Sequence, residues 1–253
     1  KVLLTQAGEQ FFQRVDKIFG EMVLARAELD QLGEWGRGRL RVGASAAACQ
    51  YILPPVLREF QKEFPKCRLS IEPGDTKEIV ESLRANTIDV AVTLEPEREP
   101  DFTFSPLFTD ELMFLVNPKH PWAEARRAVR MEIPREQYIL YLRNSRTFEQ
   151  IENYFRTEKM AIKSVIDMGS MSAIKELVKL GLGVTILAPW VAQNELTKKS
   201  LVALPLGRRK LKRRWGVLYW KERPMGWAED TFIKLCQSGA RQFAASNGLR
   251  AHV

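Results

Sequence analysis

Apolar residues near the start of the chain fall at Phe11, Val15, Ile18, Met22, Ala25, Leu29 and Leu32. The 4-3-4-3-4-3 spacing predicts one long helix over residues 5–32 with a heptad seam. Thr5 is placed to cap its start, and Gly33 and Gly36 to stop it. The stripe is narrow and persists for about four heptads before a glycine-rich link at 33–38. A seam of that shape is completed by another helix rather than by a globular core. Phe11, Val15, Ile18, Met22 and Leu29 are therefore expected to form a dimer contact.

The period then changes. Leu40–Ser45 alternates as a strand, and Leu53, Leu57, Phe60 and Phe64 mark an amphipathic helix with Pro54 in its first turn. Cys67–Ile71 is a second strand, broken by Gly74. Asp75 and Glu78 are spaced as a capping box before a helix carrying Ile79, Val80 and Leu83, and Asp89–Val92 is a third strand. Strand, helix, strand, helix, strand with short links is a parallel α/β unit, which binds ligands outside the carboxyl ends of its strands. That edge holds Ser45, Ala46, Thr76, Thr93 and Leu94.

Glu95–Asp101 reads as a solvated acidic loop and Glu111–Val116 as a strand, with a domain crossing at Asn117-Pro118. A second α/β unit follows. Tyr138–Leu142 is a strand. Asn144, Ser145, Arg146 and Thr147 open a helix carrying Phe148, Ile151 and Phe155, with Thr147 and Gln150 spaced as a capping box. Val165-Ile166 is another strand. Ser170 and Met171 open a helix with Ile174, Leu177, Val178 and Leu180, which Gly181 and Gly183 end before the strand Val184–Leu187. Each strand-to-helix turn presents free N–H groups and a positive helix end, a site for a carboxylate, and Arg146 adds a full charge. The chain closes with a basic run, Arg208–Arg214, a strand over Trp215–Trp220, a helix over Trp227–Phe243 and a patternless tail. The run reads as a solvated turn, with nucleic-acid contact as the sharper alternative.

Composition narrows the function classes. The chain has 253 residues, enough for one or two domains, and a net charge of +8, which suits an anionic partner. No apolar run is long enough to span a membrane, and the first residues do not form a signal peptide. Cys49, Cys67 and Cys236 lack metal-ligand spacing and read as reduced structural thiols; Cys49 alone sits near a helix start, where a reactive thiolate is conceivable. His120 precedes a proline in a turn and His252 lies near the end. HExxH, GxSxG, GxGxxG and GxxxxGKS patterns are absent. No catalytic residue, metal or cofactor is expected.

The ordered set Leu4-Thr5-x-x-Gly8, the long helix, Gly38–Gly43, Leu53-Pro54-Pro55, Phe60 with Phe64-Pro65, Gly74-x-Thr76 and Ile88–Val92 resembles LysR-type transcriptional regulators. So do His120-Pro121, Val178 with Gly181-x-Gly183-Val184, and Leu187-x-Pro189. The resemblance covers Leu4 to about Phe243. It implies an α/β fold of two Rossmann-like subdomains, as in periplasmic solute-binding proteins, preceded by a long dimerisation helix. Residues 1–38 would be the linker helix and hinge, 39–116 with 215–246 subdomain I, 117–214 subdomain II, and 247–253 a tail. A small anionic effector would lie between the subdomains, touched by Ser45, Ala46, Thr76, Thr93, Leu94, Asn144, Ser145, Arg146, Thr147, Ser170 and Met171. The family's N-terminal winged helix-turn-helix has no counterpart in this sequence, so operator DNA contact is assigned to a missing N-terminal domain. The implied partners are a second copy of the chain (a tetramer at full length) and the effector, in the cytoplasm and without a membrane. A transport solute-binding protein is the alternative, and the heptad helix argues against it. Peroxide-sensing members use a cysteine pair in the second subdomain, which this chain lacks between Cys67 and Cys236.

Overall fold

The computed structural model describes residues 5–32, 38–162 and 164–252. Its first element is α1 (Gln6–Leu32), with the Thr5 hydroxyl accepting the Gly8 N–H at 3.2 Å as its cap. Phe11, Ile18 and Met22 are 71, 59 and 62% exposed, Phe12 and Phe19 are exposed beside them, and Val15 is half-buried. The Leu29 side chain and the stop at Gly33 and Gly36 lie outside the described residues.

The first α/β unit runs β1 (Arg39–Ala44), a π-helical turn (Ala48–Ile52), α2 (Leu53–Glu63), β2 (Arg68–Pro73), α3 (Thr76–Arg84) and β3 (Val90–Leu94). β1 lies between β2 and β3, parallel to both. Alternation explains the layering. Leu40, Val42, Ala44, Val90, Val92 and Leu94 face one core, shared with Phe60 of α2. Ala91 faces the other side with Ile79, Val80 and Leu83 of α3.

The next strand was legible only in its second half. β4 is not Glu111–Val116 but Phe102–Val116. Its first part is half-polar, with Thr103, Ser105 and Thr109, and carries a bulge between Pro106 and Phe108, so no clean alternation marks it. After α4 (Pro121–Glu124) come β5 (Gln137–Leu140), α5 (Arg146–Thr157), β6 (Ser164–Asp167), α6 (Met171–Lys179), β7 (Thr185–Leu187), α7 (Gln193–Thr197) and β8 (Val202–Pro205). β9 (Leu211–Trp220), α8 (Trp227–Ser246) and β10 (Arg250–Ala251) complete the chain.

β4 serves two sheets. From Phe102 to Leu112 it pairs with β9, in the order β10-β4-β9-β3-β1-β2; from Met113 to Val116 it pairs with β7 and β8. β5 and β6 join the second group through a parallel bridge between Tyr138 and Val184. The exchange of partners thus falls at Leu112 and Met113, a few residues before the turn at Asn117, and β9 reaches back to Leu211. α2 and α8 share the first lobe's main core through Val56, Phe60, Phe232, Cys236 and Ala240. The tail also needs correction. Gly248 turns the chain at φ +63°, and Arg250 and Ala251 pair with Thr109 and Phe108 at the open edge of β4.

Candidate functional site

α3 and α5 meet across the gap between the lobes. Thr76, at the start of α3, and Thr93, near the end of β3, are buried, with their hydroxyl oxygens 2.9 Å apart. Ser45 follows β1: its N–H donates to the Val92 carbonyl (3.3 Å) and its hydroxyl accepts the Ala48 N–H (3.4 Å). Ala46 is half-buried next to it, and Leu94 is buried in the main core. A π-helical turn follows over Ala48–Ile52, a distortion frequent at functional sites.

On the other lobe, Asn144 is exposed and Ser145 is buried. Ser145 caps α5, accepting the Phe148 N–H at 3.2 Å. The cap expected at Thr147 is therefore two residues out, because the Ser145 backbone is extended while Arg146 is already helical. The Thr147 hydroxyl instead accepts from Arg213 Nη1 at 2.9 Å. Ser170 caps α6 through the Ala173 N–H (3.3 Å), and Met171 is half-buried against the core.

The cross-lobe contacts come from residues that sequence reasoning read otherwise. The Arg146 backbone N–H donates to Asp75 Oδ1 at 3.0 Å. Arg146 Nη1 reaches Glu97 at 2.7 Å and Glu149 at 3.4 Å, and Lys77 Nζ pairs with Glu149. Arg146 Nε is buried without an acceptor. Asp75 also forms the expected capping box with Glu78, and Glu97 belongs to the loop that reads as solvated. Their partners lie 71 and 49 positions away, a distance that no spacing rule spans. Burial raises the Asp75 carboxyl above its ordinary pKa, against the N–H groups of Arg146, Lys77 and Thr76, which favour the charged form. The Lys77 ammonium lowers Glu149. Burial also raises Tyr141, helped by the charges of Asp75 and Glu78.

Beside this mouth lies a deeper polar cluster. Asp110 Oδ1 accepts from Arg213 Nε (2.9 Å), and its Oδ2 from the indole N–H groups of Trp190 (2.9 Å) and Trp215 (3.0 Å). The basic run is thus not a solvated turn throughout, since Arg213 is buried. Arg209 pairs with Glu158, Lys210 with Glu111 and Arg214 with Glu95, so much of the run's charge is internally matched. That weakens the nucleic-acid alternative. Cys49 is half-buried with its thiol pKa raised by burial, contrary to a reactive thiolate.

A cavity of about 340 Å³ lies elsewhere, lined by Glu111, Trp190, Gln193, Lys210 and Leu249 among others, and includes none of the expected effector residues. The mouth between the lobes is bridged by the cross-lobe bonds. Among the described residues no group of three or more His, Cys, Asp or Glu side chains is placed to hold a metal, and no helix is long and apolar enough to cross a membrane.

Residues 34–241 match the model of the LysR substrate binding domain. The chain belongs to the LysR family. The HTH-type transcriptional regulator CysL of Bacillus subtilis is 25% identical over 215 residues, covering 85% of this chain and 72% of CysL. The regulatory domain of MetR, a LysR family regulator from N. meningitidis, superposes with a TM-score of 0.71 at 20% identity, over 85% of this chain and 99% of that one. The effector binding domain of QuiR in complex with shikimate gives 0.70 at 20% identity, over 81% of this chain and 98% of that one. The two-subdomain fold of LysR effector-binding domains is therefore the fold of this chain, its relatives are transcriptional regulators, and a transport receptor is not favoured.

Proposed function

We propose that the chain is the sensing part of a transcription regulator. A small molecule bearing a carboxylate enters between the lobes, held by Ser45, Thr76, Thr93, Arg146 and Thr147. Asn144, Ser145 and Ser170 order the turns around it, and Ala46, Leu94 and Met171 supply apolar walls. The observation that carries this is the Asp75 carboxylate on the Arg146 N–H: the first turn of α5 already holds an anion, and the anion comes from the opposite lobe. A ligand that takes this position changes the closure angle and shifts the population between two lobe arrangements.

The apolar seam of α1, exposed at Phe11, Ile18 and Met22, supplies the second half of the reading. Phe11, Val15, Ile18, Met22 and Leu29 pair two copies of the chain, which couples the lobes of one subunit to DNA-binding heads supplied outside this sequence, in the cytoplasm. The chain acts without catalysis or cofactor. A thermal-shift screen of small organic acids tests the cleft. A cognate acid raises the melting temperature of the wild type, and the rise disappears in Arg146→Ala and Ser45→Ala. A full response in both variants refutes the site. Sedimentation tests the pairing: Ile18→Glu with Met22→Glu lowers the mass, and an unchanged mass refutes it.

A further inference from the structure

The charges around Asp75 constrain what the cleft accepts. Asp75 lies near Glu78, while Arg146 already serves Glu97 and Glu149, and Glu149 also takes Lys77. Carboxylates here outnumber the two cations, Lys77 and Arg146. A bare carboxylate that displaced Asp75 from the Arg146 N–H would leave a half-buried carboxylate without that donor and set a second negative charge beside it, an arrangement that costs free energy unless a cation accompanies it. A bare amine would match Asp75, which can keep the Arg146 N–H on Oδ1, but would leave Arg146 Nε as it stands, buried without an acceptor.

We propose that the cleft takes a small zwitterion, with an ammonium and a carboxylate spaced as in an α-amino acid, and that Asp75 is its specificity-determining residue. The ligand's carboxylate replaces that of Asp75 on the first turn of α5, where Arg146 Nε is also free to donate. Its ammonium is received by the released Asp75. The Ser45 hydroxyl and the Thr76–Thr93 pair line the lobe from which Asp75 comes. In the empty state Asp75 acts as an internal substitute for the ligand's acid group and holds the lobes together. This rests on the cleft reading above and narrows it: the acid group alone is insufficient.

The test is calorimetric titration of the whole chain with the L-amino acids, each beside its deaminated 2-hydroxy acid and its decarboxylated amine. At least one amino acid binds tenfold or more tighter than either counterpart. In Asp75→Asn that amino acid loses at least tenfold, and its advantage over the hydroxy acid disappears. Asparagine is a comparable helix cap, so a cooperative unfolding transition without ligand, at a melting temperature no lower than the wild type's, verifies that the variant folds. The proposal is overturned if the hydroxy acid or a dicarboxylate binds as tightly as the amino acid, if Asp75→Asn weakens acid and amino acid equally, or if nothing in the panel binds. Binding that survives both Ser45→Ala and Arg146→Ala defeats the cleft reading itself. Binding that is lost in those two but unaffected by Asp75→Asn defeats only the zwitterion.

Discussion

The two lobes are tied together at two places that differ in depth. Behind the mouth, Asp110 is 1% exposed and Arg213 6%, and the carboxylate gathers one guanidinium and two indole N–H groups, while Arg213 continues to Thr147. At the mouth, Arg146, Glu97, Glu149 and Lys77 form a chain of ion pairs at least partly in water. Buried charges are costly to separate because neither partner recovers its hydration. Exposed ones cost little, since water and salt replace the partner. The deep cluster is therefore the tie that is hard to break and the shallow chain the one that breaks easily, which under the proposed function makes them hinge and latch. A sensor needs both: a hinge that does not slip and a latch that a few kcal/mol of binding can open.

Asp110→Ala should have the largest effect. It strands a buried guanidinium and two indole donors at once, and breaking one side of a buried pair costs about 3–5 kcal/mol. Urea unfolding of the variant should show that loss. A deficit below about 1 kcal/mol, the range of a surface pair, would erase the distinction between the two ties.

The deep cluster is also where the sequence was least informative. The strands and helices with clean periodicity, β1, α2, α3, β3 and α6, are legible because a single face decides them. Asp110 lies within the half-polar part of β4, so neither its strand nor its burial is visible in the pattern. Arg213 stands in a run of seven residues, all but one basic, and nothing local separates the buried guanidinium from its solvated neighbours. The candidate site divides the same way. Thr76, Thr93, Arg146 and Thr147 can be named as candidates because loops at strand ends are recognisable. The pairing of Asp75, Glu97 and Glu149 across the mouth is not legible because it depends on which lobe they meet.

Next in size is the cap of α5. Ser145→Ala removes the acceptor for the Phe148 N–H at the helix that carries Arg146 and Thr147 into the mouth, and should cost about 1 kcal/mol. Thr147→Ala, by contrast, should act through Arg213 rather than through helix stability. Thermal unfolding of the pair separates them: an equal loss for Thr147→Ala with normal Arg213 packing would restore Thr147 as the cap.

Arg146→Ala should cost less in stability than either, under about 1 kcal/mol, because its ion pairs are partly exposed. Its effect should appear in shape. With the Arg146–Glu97 bridge gone, only Lys77–Glu149 and the Asp75–Arg146 N–H bond span the mouth, so the lobes open further and the radius of gyration in small-angle scattering rises, whereas Asp110→Asn, which keeps an acceptor for the indoles, leaves the closure angle alone.

The smallest expected effect is the pH dependence of Glu149→Gln. The Lys77 ammonium holds the Glu149 carboxyl below its ordinary pKa in the folded chain. Its charged form therefore adds stability that is complete above the unfolded value, about 4.3, and is lost as the pH falls through the depressed folded value. The difference between wild type and Glu149→Gln should be a few tenths of a kcal/mol, flat from pH 7 to 5, shrinking only below the ordinary glutamate range. Burial moves Asp75 the other way, so its carboxyl takes up its proton first as the pH falls. An acid whose folded pKa is raised carries a cost above that value, which Asp75→Asn relieves at neutral pH and which vanishes in acid. At 1 M salt, where screening acts over about 3 Å, the Glu149→Gln difference should disappear while the Asp110→Ala deficit persists. If both fade together, the Asp110 cluster is open to solvent and the contrast between hinge and latch fails.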